Sequence, residues 1–141
     1  MELGTFGAIL KFAIDIEKEV IEFYRTAPTI QADQSLADLF EELVVRGERR
    51  IKTLERVRRE NTTEMILEPI TDFDSDTYSM KTIIPKHADE GVLREIASTI
   101  ESTLENFYNT ASKKIEFLSE AAYALELLAE KNRDTREQLS H

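Results

Sequence analysis

The chain has 141 residues, 41% of them apolar and 33% charged, with a formal net charge of −10 and no cysteine. That length suits one domain around one core. The missing thiols exclude disulfides, thiolate-bound zinc and thiol catalysis, and the acidic balance argues against nucleic acid as the main partner, because phosphate binding needs a basic surface.

No run of about 18 apolar residues is present, so a membrane span is not expected. The N-terminus lacks the basic start and long apolar core of a secretory signal. A cytoplasmic protein is the expectation.

In chain order, helix 1 is expected from about Leu3 to Ala27, with Pro28 as its stop. Its inward stripe carries Ala13, Ile16, Val20, Phe23 and Ala27 at helical spacing. Glu17 and Tyr24 share that stripe. A tyrosine buries its ring and keeps a partner for its hydroxyl. A carboxylate on a core face needs a counter-charge, a metal or a proton.

After a polar turn around Gln31 to Gln34, Asp33 or Ser35 can cap helix 2, which covers roughly Leu36 to Glu60. Its stripe reads Leu36, Phe40, Leu43, Gly47, Arg50, Leu54 and Val57. The basic residues Arg46, Arg49, Lys52, Arg56, Arg58 and Arg59 are interleaved with Glu48 and Glu55, which reads as a solvated face, against an anion patch as the sharper alternative. Residues 61–89 break the helical pattern at Asn61-Thr62-Thr63, Pro69 and Pro85. Met65, Ile66, Leu67, Ile70, Phe73, Tyr78, Ile83 and Ile84 make this stretch too apolar for a solvated tether. An ordered crossover with some short helix, packed along the bundle, is expected. Asp72, Asp74 and Asp76 have the alternation of a calcium loop without its glycine and distal glutamate, and read as a polar turn.

Helix 3 is expected from a cap at Asp89 to about Lys113, and helix 4 from about Leu118 to Leu139 with Ala121, Leu125, Leu128, Asn132, Thr135 and Leu139 inward. Helix 3 repeats helix 1. Residues 97–111 match residues 13–27 at an offset of 84, with seven of fifteen positions identical: Ala, Ile, Glu, Phe, Tyr, Thr and Ala. The carboxylate recurs as Glu101 and the tyrosine as Tyr108. Helix 4 follows helix 2 at an offset of 85, so Asn132 corresponds to Gly47 and Thr135 to Arg50. The chain reads as two copies of a helix pair, 3–60 and 90–139, joined by the crossover.

At these residues the chain resembles the ferritin-like superfamily, and within it the rubrerythrin-like proteins, whose first and third helices carry a Glu seven residues before the Tyr of a Phe-Tyr pair. Glu17 with Phe23-Tyr24 and Glu101 with Phe107-Tyr108 fit that pattern. The resemblance implies an all-α, ferritin-like four-helix bundle with a long crossover between helices 2 and 3. It also implies a di-metal centre, held by one Glu from each of two helices and a Glu-x-x-His from each of the other two. Where the family's second and fourth helices carry Glu-x-x-His, this chain reads Gly47-x-x-Arg50 and Asn132-x-x-Thr135. Its two histidines, His87 and His141, stand in the crossover and at the terminus.

Four of six ligands are therefore replaced, and the family's oxidative chemistry is not carried over. The expectation is a degenerate metal site: a core polar cluster of Glu17, Arg50, Glu101, Asn132, Thr135, Tyr24, Tyr108 and Gly47. No catalytic residue and no cofactor are expected; Arg50 should bond Glu17, Glu101 or both, and Gly47, which lacks a side chain, leaves room for its guanidinium. The alternative is a rubrerythrin-like oxidoreductase binding iron or another divalent metal through Glu17 and Glu101. Family bundles often pair, and the crossover is rich in Ile, Phe and Tyr, so a homodimer is expected.

Overall fold

A computed structural model describes residues 1–27, 33–61 and 69–140. Four α-helices account for most of them: α1 (Phe6–Thr26), α2 (Gln34–Glu60), α3 (Glu90–Lys114) and α4 (Ser119–Leu139). A 3-10 turn at Ser75–Tyr78 lies between α2 and α3, and among the described residues there is no β-strand, only an isolated bridge between Glu2 and Asp74. The chain is all-α, consistent with a four-helix bundle. No helix of the described residues is long and apolar enough to cross a membrane.

Three of the four helices start where a short polar side chain accepts a first-turn amide, and α4 starts after Leu118 without a side-chain cap. Thr5 Oγ1 accepts from the Ala8 amide at 3.0 Å, Asp33 Oδ1 from Leu36 at 2.8 Å and Asp89 Oδ1 from Val92 at 2.9 Å. Helix 1 begins at Phe6 rather than near Leu3. Residues before Thr5 are extended instead, with the Leu3 amide donating to the Phe73 carbonyl at 2.7 Å and the Ile70 amide to the Gly4 carbonyl at 3.0 Å. Backbone groups that a longer helix would satisfy internally are satisfied here by the 69–89 segment. Pro28, Met65, Ile66, Leu67 and His141 lie outside the described residues.

The inward stripes read from the sequence are the buried faces. On α2 the buried residues are Leu36, Phe40, Leu43, Gly47, Arg50, Leu54 and Val57. On α4, Ala122 and Ala129 join the expected set. The helices pair as α1 with α2 and α3 with α4. Contacts fix their directions. Rising numbers on α1 meet falling numbers on α2, as Glu17 meets Arg50 and Tyr24 meets Phe40. The same holds for α3 and α4, where Arg94 reaches Leu139 and Ser112 reaches Ala122. It also holds for α1 and α3, where Glu17 meets Tyr108 and Tyr24 meets Glu101. Hence α2 and α3 run the same way.

The 69–89 segment supplies core. The Phe73 ring stacks on Phe107 of α3 at 5.5 Å, and Tyr78 meets the same ring edge-on at 5.3 Å. Phe12 of α1 is 5.3 Å away on another side. In the first repeat the equivalent ring, Phe23, is covered by Phe40 of α2 at 5.9 Å. The residue of α4 that corresponds to Phe40 is Leu125, and rings from the connecting segment and from α1 cover Phe107 instead. Ile70, Phe73 and Tyr78, three of the apolar residues that suggest a homodimer, are thus buried in the chain's own core, while Ile83 is 86% exposed. Asp74 accepts from the Asp76 amide at 2.9 Å and from the N-terminal ammonium at 3.0 Å, as a turn residue does.

Gly47 has a different job from the one its sequence context suggests. It reads as the gap that admits the Arg50 guanidinium. Instead, a Cβ at Gly47 would stand 2.7 Å from Cγ1 and 3.2 Å from Cδ1 of Ile21. The glycine lets α1 and α2 approach with Ile21 between them. Ile21 is buried and stiff at χ1, so it yields poorly. Gly47→Ala is expected to destabilise the fold by about 1–3 kcal/mol, as overpacking does, despite alanine's better helix propensity. Chemical denaturation of the two proteins checks it, and an unchanged or raised midpoint would mean that the helices separate without cost.

Candidate functional site

Five polar residues are buried among the described ones: Glu17, Arg50, Glu101, Asn132 and Thr135. Glu17 and Glu101 come from equivalent positions of α1 and α3, and both are fully enclosed. Tyr24 and Tyr108 lie seven residues further on, about 10 Å along a helix. Antiparallel packing makes the equal spacings act together. When Glu17 is level with Tyr108, Tyr24 is level with Glu101, since 17 + 108 equals 24 + 101.

The bonds cross accordingly. Tyr24 donates to Glu101 Oε2 at 2.7 Å and Tyr108 to Glu17 Oε1 at 3.0 Å. Each carboxylate takes its second partner from the helix paired with its own. Arg50 Nε of α2 donates to Glu17 Oε2 at 2.9 Å and Oε1 at 3.1 Å. Asn132 Nδ2 of α4 donates to Glu101 Oε1 at 3.0 Å. Every oxygen of both carboxylates therefore accepts a hydrogen bond.

The two halves differ where α2 differs from α4. Arg50 corresponds to Thr135 and Gly47 to Asn132, so Glu17 is met from the second of these repeat positions and Glu101 from the first. Arg50 bonds Glu17 and not Glu101. Thr135 does not join the glutamates; its Oγ1 accepts from Arg46 Nη1 at 3.2 Å. Gly47 faces Ile21. Sequence reasoning misses Arg46, whose guanidinium also reaches Gln138 at 2.7 Å and Glu42 at 2.7 Å. Nothing in the periodicity of α2 marks it as a partner for α4.

The electrostatics follow from one cation between two acids. Burial pushes the Glu17 carboxyl above its ordinary value, and the nearby Glu101 adds to this, more than Arg50 pulls it down. Burial disfavours the Arg50 charge as well, but Glu17 and then Glu101 outweigh it and hold the guanidinium even more firmly protonated than usual. The two results agree: the arginine sees two carboxylates, whereas Glu17 sees one cation and one carboxylate. Burial first, then the carboxylate that each one faces, raises both tyrosine hydroxyls well above their ordinary values, so they remain donors.

A di-metal centre does not fit this donor set. Only two carboxylates are present, each already engaged at both oxygens, and a guanidinium lies against one of them. Among the described residues no group of three or more His, Cys, Asp or Glu side chains could hold a metal ion. His87, on an exposed turn with φ 64°, stands apart from the cluster. Among the described residues, two buried side-chain polar atoms have no hydrogen-bond partner, the donor Arg50 Nη2 and the acceptor Asn132 Oδ1. In comparisons with known proteins, the chain matches no family model, no curated protein and no solved structure.

Proposed function

We propose that this chain is a ferritin-like bundle whose di-metal centre has been replaced by a buried ion-pair and hydrogen-bond cluster, and that it serves as a binding or structural module rather than an enzyme. The observation that carries this reading is the occupation of both glutamates. Arg50 and Tyr108 hold Glu17, Asn132 and Tyr24 hold Glu101, and a metal would have to displace them. The shared direction of α2 and α3 supports the long crossover of such bundles, since a chain leaving α2 must travel back along the bundle before α3 begins. The internal repeat supports descent from a symmetric helix pair.

Elemental analysis tests the reading. Protein produced with iron, manganese and zinc available, then desalted, is expected to carry far less than one metal per chain. Stoichiometric metal that Glu17→Gln with Glu101→Gln abolishes would overturn it in favour of a reduced oxidoreductase site on those two residues.

A further inference from the structure

On the outer side of the polar cluster, α2 and α4 part to leave a cleft of about 430 Å³, within the size range of small-molecule sites. Four cationic side chains line it, Arg46, Arg49 and Arg50 from α2 and Lys131 from α4, against one acid, Asp134. On a chain of net charge −10 this is a local reversal of sign. Arg46 and Arg50 are balanced by Glu42 and Glu17. Arg49 and Lys131 form no ion pair among the described residues.

Arg50 supplies the second, independent observation. It is 3% exposed, yet only its Nε is bonded to Glu17, and its buried Nη2 has no partner. A buried donor on a charged group left unmade is costly. Arginine presents its nitrogens as a fork suited to oxoanions, and here an arginine with an unbonded nitrogen is among the residues that line a cationic cleft. Thr53 and Thr135 add hydroxyls to the same wall, and Leu128 adds an apolar surface.

We infer that this cleft binds a small organic phosphate. A tetrahedral dianion accepts from several directions at once, which matches donors arriving from two helices. The volume leaves room for an organic group against Leu128 and the arginine stems. Arg49 and Lys131 would supply the charge, and Arg50 would anchor the inner end. The inference goes beyond the proposed loss of metal and shares only Arg50 with it. Bound metal tests that reading, and anion binding tests this one.

The experiment is calorimetric titration of the full chain with phenyl phosphate and with inorganic phosphate at constant ionic strength. Saturable binding at one site is expected, tighter for phenyl phosphate. Arg49→Ala and Lys131→Ala, both at exposed positions, should each weaken it about tenfold, the loss of one charge-assisted contact, and Asp134→Asn should strengthen it. Arg56→Ala removes the same charge from α2 outside the cleft and should change the affinity by less than about twofold. No saturable binding up to tens of millimolar, or equal weakening by Arg56→Ala and Arg49→Ala, would overturn the assignment.

Discussion

Replacing Arg50 by alanine is expected to lower the unfolding free energy by about 3 kcal/mol, because it removes the one cation from a cluster with two buried carboxyls. The cost should depend on pH. In the parent, burial already holds the Glu17 pKa above its unfolded value. Stability from the neutral carboxyl is then fully present below the unfolded pKa, near 4.5, and is lost as pH rises through the folded value. Without Arg50 the folded value rises further. Both proteins share the unfolded value, so the penalty of Arg50→Ala is smallest while Glu17 is neutral in both folded forms, and it grows as pH rises through the parent's folded value, which lies above 4.5. Urea denaturation of both proteins at several pH values between 4 and 8 checks sign and size. A variant as stable as the parent at pH 8 would show that the guanidinium is not needed to hold Glu17.

Removing the charge and its partners together is a different matter. Buried ion pairs replaced by apolar residues of similar volume are often neutral or stabilising. Glu17→Leu with Arg50→Met would still leave the Tyr108 hydroxyl without its acceptor, since that group donates to Glu17. Adding Tyr108→Phe clears this debt, and the triple variant should recover most of what Arg50→Ala loses.

Phe107→Ala is expected to cost about 4 kcal/mol, at the upper end for core residues. Four rings lie within 5.5 Å of Phe107 centroid to centroid, those of Phe12, Phe73, Tyr78 and Tyr108. Three of them belong to other parts of the chain, so local relaxation cannot refill the space. Phe117, which is 42% exposed, provides the comparison; Phe117→Ala should change stability by no more than about 0.5 kcal/mol. Denaturant midpoints and slopes decide it. A cost for Phe107→Ala below about 2 kcal/mol would mean that the connecting segment collapses onto the hole.

Helical periodicity made the four helices and their buried faces legible, because the stripe of each helix is set by which residues avoid water. It also exposed Glu17 and Glu101 as charges in the wrong place. Placing Arg50 against Glu17 required only that a buried carboxylate find a cation. The start of α1 was less legible, since the tie of Leu3 and Gly4 to residues 70 and 73 depends on backbone groups that every residue carries. Gly47 was misread for a related reason. An absent side chain says that something comes close, but not that it is Ile21. The turn of Thr135 toward Arg46 was hidden as well, because a hydroxyl suits many partners and periodicity does not rank them.

The crossed tyrosine bonds have a kinetic consequence. They join residues 77 and 91 apart in sequence, so closing them means closing very long loops. Until both are closed, α1–α2 holds Glu17 without Tyr108 and α3–α4 holds Glu101 without Tyr24. A half-assembled chain must either keep its carboxylates wet or protonate them, and neither allows tight packing. Each helix pair alone is therefore a poor resting place on the way to the native state, and the two should commit together in a single late step that slows as the contacts become more distant.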